Sequence, residues 1–150
     1  MLKHNIPQVQ KEIKRHMAVA SRNAQEAVPA VAAFITEELV KPGANPVLTG
    51  KSRSGWNAGT GGSPVYVEDP PIVSAAEVVN RAESNLGDRA DSAWVANGVS
   101  YITDLEAGSS SKAPQGFVRQ AFVRAVLKAE EIDLFEPGSA KRVYKSLFKG

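Results

Sequence analysis

Residues 7–40 read PQVQKEIKRHMAVASRNAQEAVPAVAAFITEELV, and the spacing of their apolar positions decides the fold. Ile6, Val9, Ile13, Met17, Ala20, Ala24, Val28, Val31, Ile35 and Leu39 follow one another in steps of three or four. Such steps keep one apolar stripe on one face of a helix. Asn5 suits the N-cap and Pro7 the first turn. Lys41-Pro42-Gly43 ends the helix, because Pro42 disfavours helical geometry at Lys41 and Gly43 suits a left-handed stop. A helix over Pro7–Val40 is about 50 Å long at 1.5 Å per residue, longer than a globule of 150 residues needs. Pro29 removes one helix bond, and a kink is expected there. A stripe with this much alanine is narrow and suits close packing against another helix or another subunit.

Outward from this helix the composition changes abruptly. Residues 41–71 hold half of the twelve glycines and are rich in proline, so they read as turns and short strands. Ser52–Asn57 and Pro64–Glu68 are expected strands, joined by a loop over 58–63. Ser74 and Glu77 have capping-box spacing, Val78, Val79, Ala82 and Leu86 give the next helix its apolar face, and Gly87 closes it. Residues 93–96 and 99–102 flank Asn97-Gly98, a strong hairpin signal. Pro114 and Gly116 open the last helix, with Val118, Phe122, Ala125, Val126, Ala129 and Ile132 inward and Arg119, Arg124 and Lys128 outward. Glu136-Pro137-Gly138 stops it. The reading is one α+β domain. A long helix spans 1–42, and an α+β core over 43–135 holds an antiparallel sheet of about four strands and two further helices. A basic C-terminal tail occupies 136–150.

Composition excludes several classes of function. With no cysteine, disulfide scaffolds, thiolate metal sites and thiol nucleophiles are ruled out. His4 and His16 are the only histidines and read as surface residues. The longest apolar run, Ala27–Ile35, has nine residues including Pro29, against the ~20 that span a bilayer. No signal segment opens the chain, and a soluble intracellular protein is expected. A net charge of +2 does not by itself argue for nucleic acid.

The fragments that suggest chemistry each lack their context. Gly50-Lys51-Ser52 ends like a phosphate-binding loop, but position 45 is Asn where that loop needs its first glycine, and no helix is expected to follow. Gly59-Thr60-Gly61-Gly62 has no strand–glycine–helix unit around it. Asp104 and Glu106 are two apart, whereas hydrolytic carboxylates flank a substrate from separate elements. Ser109-Ser110-Ser111 lacks the nucleophile elbow. No catalytic site, metal or cofactor is assigned. Lys141, Arg142, Lys145 and Lys149, interleaved with Tyr144 and Phe148, suit either weak nucleic-acid contact or an amphipathic segment docking a partner protein. The docking reading is preferred.

Two segments in succession resemble the phage neck and tail-completion proteins of the HK97 gene-product-ten type. The first is Asn45–Trp56, where Pro46, Thr49 and Gly50 are followed by a basic residue, Lys51 or Arg53, and by the aromatic Trp56. The second is Val99–Ser110, with Tyr101, Glu106 and Gly108, followed by the helix start that carries Phe117 and Arg119. Ile102 and Ser109 stand where that family usually has alanine and threonine. The resemblance implies a non-enzymatic virion protein at the head–tail interface, assembled in the host cytoplasm. It implies a ring, with six copies as the natural number, between the head-side connector and the tail tube or terminator proteins. A tail terminator is the neighbouring alternative, and a small nucleic-acid-binding protein is the alternative from another class. The residues also have physical roles of their own. Thr49 and Gly50 suit a sharp turn, Trp56 and Trp94 are expected to be buried sheet anchors, and Tyr101 can bury its ring. Glu106 can accept amide hydrogen bonds from the Gly108–Ser110 turn or pair with a neighbour's basic residue. The excess length of the leading helix and the 58–63 loop are assigned to contacts between subunits.

Overall fold

The computed structural model describes residues 6–45, 50–109, 111 and 115–148, the last four of these by backbone alone. Thr49, which lies in the first family-like segment, falls outside the described residues, as do His4 and Lys149.

The leading helix α1 runs Ile6–Val40 without interruption, about 52 Å at 1.5 Å per residue. Its two ends differ. Residues 6–18 are all exposed, whereas from Asn23 onward one side of the helix is buried. Around that second half the chain lays a short helix α2 (Lys51–Ser54), strand β1 (Trp56–Thr60), helix α3 (Ala75–Leu86), strand β2 (Ala93–Asn97), a one-turn α4 (Ile102–Glu106), α5 (Phe117–Ala129) and α6 (Ser139–Phe148). Phe34, Ile35, Leu39 and Val40 of α1 meet Trp56, Val78, Phe117 and Tyr144 in the main core. A second cluster is built almost wholly of small residues, with Ala32 and Ala33 against Ala58, Ala82 and Leu86. Alanines there bring the sheet and α3 close to the α1 backbone.

Pro29 lies inside α1 and is buried. Without an N–H it cannot bond the carbonyl four residues back, that of Gln25. The freed carbonyl accepts the Ala90 N–H at 3.0 Å, and the Gln25 side chain donates to Asp91 Oδ1 at 3.3 Å. The proline thus makes an acceptor on the helix flank that holds the loop entering β2. Six residues before Pro29, Asn23, 1% exposed, does similar work with its side chain. Its Nδ2 donates to the Leu134 and Glu136 carbonyls at 2.8 and 2.7 Å, and its Oδ1 accepts the Ala140 N–H at 3.2 Å. One amide therefore ties the approach to α6 onto α1. Nothing in the helical periodicity distinguishes this asparagine.

Among the described residues the sheet has two strands, not about four. β1 and β2 pair antiparallel, with Trp56 opposite Asn97 and Gly59 opposite Trp94. The expected strand at 52–57 begins instead as α2, entered through Gly50 at φ 86°. Ser54 locks this turn by donating to the Gly50 carbonyl at 2.7 Å and accepting the Val73 N–H at 2.9 Å. Residues 64–68 form no regular element. The Asn97-Gly98 hairpin is also absent, since residues 99–101 are not strand and 102–106 are helix. A hairpin turn of that sequence needs positive φ at both residues, and neither has it. Asn97 spends its side chain elsewhere, donating to the Ser52 carbonyl at 2.7 Å and accepting the Val99 N–H at 2.9 Å. Gly98 is needed for close approach, because a Cβ there would lie 2.6 Å from the Val67 backbone nitrogen.

Among the described residues the helices after α1 number five, not two. α3 has its expected start, a capping box in which Ser74 Oγ accepts the Glu77 N–H at 3.1 Å and Glu77 returns a bond at 3.2 Å. On α5 the inner face is Phe117, Ala121 and Ala125, while Phe122 and Val126 are exposed. The small residues were selected inward because they let α5 approach α1 closely. The basic tail is helix α6, whose Tyr144 is 1% exposed beside Phe34 and donates to the Ala125 carbonyl at 3.4 Å. Burial pushes the Tyr144 phenol up to about 12.

Two substitutions follow from this packing. Trp56, 4% exposed, has its Nε1 bonded to Asn45 Oδ1 at 3.0 Å, and Trp56→Ala is expected to cost about 3–5 kcal/mol in denaturant unfolding. Trp94 is half-buried, so the same truncation there is expected to cost well under that. Pro29→Ala restores a competing helix donor for the Gln25 carbonyl. The Ala90 amide is then expected to lose hydrogen-exchange protection selectively, while the amides of Val78 and Phe117 keep theirs.

Candidate functional site

The family-like residues turn out to be mostly builders of the frame. Gly50 supplies the left-handed entry to α2. Arg53 reaches back to donate to the Val73 carbonyl at 3.2 Å. Phe117 is buried in the main core, and Arg119 is exposed on α5. Tyr101 is 38% exposed and does not bury its ring. Gly108 adopts φ 95°, with the Gln115 side chain close beside it.

Glu106 has a sharper role than the sequence reading supplied. Its carboxylate accepts the Val118 N–H at 2.8 Å and the Arg119 N–H at 3.1 Å, and its own carbonyl accepts the Gly116 N–H at 2.9 Å. These are orphan donors of the first turn of α5, so Glu106 is a helix cap delivered from ten residues upstream. Of the expected 108–110 turn, the Gly108 and Ser109 amides go to the Leu105 and Asp104 carbonyls, and Ser110 lies outside the described residues. Negative charge at a helix N-terminus is favourable, which explains a glutamate here. Asp104 does not join it in a paired site.

The other suggestive fragments are likewise occupied. Lys51 pairs with Asp69, which lowers the Asp69 carboxyl and raises the lysine through their mutual hydrogen bond and charge. The Ser52 hydroxyl accepts from Asn45 Nδ2 at 2.7 Å. Lys141 Nζ lies 3.8 Å from the buried Glu26 carboxylate, which also accepts Arg22 Nε at 2.9 Å. Arg142 pairs with Glu136 at 2.7 Å. With Tyr144 buried, stacking on bases is closed to it; the Lys145 side chain lies outside the described residues. Among the described residues no three His, Asp or Glu side chains are grouped to hold a metal ion, and no helix is long and apolar enough to cross a membrane.

What the structure does leave open is apolar. On α1, Ile6, Val9, Ile13 and Met17 are 62, 56, 52 and 64% exposed, one unburied stripe along about 20 Å of helix. The same helix face continues into a groove of about 440 Å³. Val28, Val31 and Ile35 of α1 form its floor, Trp94 of β2 one wall, and Phe122 and Val126 of α5 the other. Trp94 is held at that wall by its register. It lies over Gly59, where a Cβ would come within 2.6 Å of the indole, and its Nε1 donates to the Gly61 carbonyl at 3.2 Å. The first half of the 58–63 loop expected to make subunit contacts is instead strand, with Ala58 and Gly59 buried and only 61–63 exposed. Sequence reasoning found the stripe from its period; the α5 wall was invisible because those residues were assigned to the core.

One half-buried titratable group stands apart from this surface. Glu37 Oε2 is buried without a hydrogen-bond partner, and its carboxyl is raised, first by burial and then by Glu38 and Glu83, against the opposing effect of Lys41. A raised acid favours the folded state below the ordinary carboxylate range, and that advantage is lost as pH rises through its folded value. Glu37→Gln is therefore expected to raise the melting temperature at neutral pH, with the gain vanishing on acidification below the carboxylate range. Parallel thermal melts across pH check it.

No protein-family model, no curated protein and no solved structure matches this chain.

Proposed function

We propose that the chain is a structural subunit of a phage neck, completing the tail or joining it to the head through a ring of subunits, without catalysis. One observation carries the reading. Thirteen residues of a well-formed helix, 6–18, stand exposed with an apolar stripe that the subunit itself does not cover. Contiguous apolar surface of this kind marks a site of association, whereas scattered exposed residues do not. The family-like segments at 45–56 and 99–121 add the direction, from association in general to the neck in particular. A ring follows from heterologous contacts that close, one patch of each subunit meeting a different patch of the next. The head-side connector and the tail end are the neighbours this role requires.

Ala24 tests the reading, because it lies on the stripe and is exposed. A glutamate there leaves the isolated subunit folded with an unchanged melting temperature, and in a contact it places an unpaired carboxylate that is costly to desolvate. Virions carrying Ala24→Glu are expected to accumulate unjoined heads and tails under the electron microscope. Normal particles would remove the neck assignment for this helix.

A further inference from the structure

We propose that the groove between α1, β2 and α5 receives the projecting half of α1 from a second copy of the chain, laid antiparallel to the host helix. In this register the contact is reciprocal, because the guest's Val28 then faces the host's Ile13, so it closes on two copies and stands independently of the ring reading.

Three observations select this occupant. The first is register. The stripe positions are nearly symmetric about Ala20, so an antiparallel guest sets its Ile13 against host Val28 and its Met17 against host Ala24. Large guest side chains, each more than half exposed, then meet a host segment made of small residues and a 440 Å³ groove. Alanines at the crossing allow the helices to approach closely. The second is charge. The guest segment carries Lys11, Lys14 and Arg15 against Glu12 alone. In this register they come beside host residues 26–30. That end of the groove has Asp91 on its lining and the exposed Glu130 one turn beyond Val126. The third is extent. A stable interface uses about 20–30 residues a side. The guest segment offers 13 residues, as does the groove lining, so a subunit that both gives and receives reaches that range.

The absence of native cysteine makes a direct test available. Ile13→Cys and Val28→Cys chains are prepared separately, mixed at high micromolar concentration and oxidised. The expected result is a dimer-sized disulfide band in the mixture that neither variant forms alone. Adding Phe122→Asp, at an exposed wall position, should reduce that band at least tenfold with no change in melting temperature. A chain carrying both cysteines then separates the two proposals. A doubly linked species that stops at two copies supports the docking; a ladder of longer bands overturns the reciprocal register and favours a head-to-tail ring. Absence of the mixed band overturns the docking while leaving the particle experiment on Ala24 to judge the neck reading. A band from Ile13→Cys alone also overturns it, because it would mean that stripes pair with each other.

Discussion

The fold depends on one constraint, that both strands and the helices α3, α5 and α6 must find their apolar partner on the second half of α1. Among the described residues there is no large sheet to organise the chain; two strands of five residues each need a surface to lie on. That surface is the run from Ala32 to Val40, where both core clusters converge. α3 and β1 approach over alanines, α5 approaches over Ala121 and Ala125, and α6 closes with Tyr144. The subunit is therefore a collar around a rod, and the length of the rod beyond the collar is not set by folding.

The rod was legible because its signal is repeated ten times in one period, and no local interaction overrides a pattern of that length. The α3 capping box was legible for a related reason, since Ser74 and Glu77 satisfy each other within one turn and need nothing from elsewhere. The expected strands failed where a side chain had a distant partner. Asn97 bonds Ser52, Ser54 bonds Val73, and Gly98 makes room for the backbone at Val67. Each converts a segment with strand composition into a turn, and none of those partners is close in sequence. Of the expected α5 face, Ala125 is buried and Val118 and Ile132 pack against the core, whereas Phe122 and Val126 turn outward through the same kind of distant cause. Helical periodicity shows which residues share a side, but the side turned inward is chosen by how near α1 can come. Of the candidate residues, Trp56, Glu106 and Phe117 prove central to the frame, and the groove could not be read because it joins three segments far apart in the chain.

Pro29 and Asn23 show how a helix interior can anchor other chain segments. A regular helix offers its neighbours only side chains, because its own amides and carbonyls are consumed. Removing one donor at Pro29 exposes a carbonyl that Ala90 fills, and Asn23 supplies an amide that answers three backbone groups near α6. Both devices lie at the border between the buried and the projecting halves of α1. They fix where the collar ends.

The energetics of the proposed contact then explain why a closed assembly suits this architecture. Burying an apolar side chain is worth about 1.5–3 kcal/mol, so four from the projecting stripe supply roughly 6–12 kcal/mol at most. Association itself costs about 4–15 kcal/mol in lost freedom. A single guest helix in a single groove sits near balance, and an open pair of subunits gains little. The reciprocal pair gives each chain one contact as guest and one as host, so the second contact is added without freezing a further body.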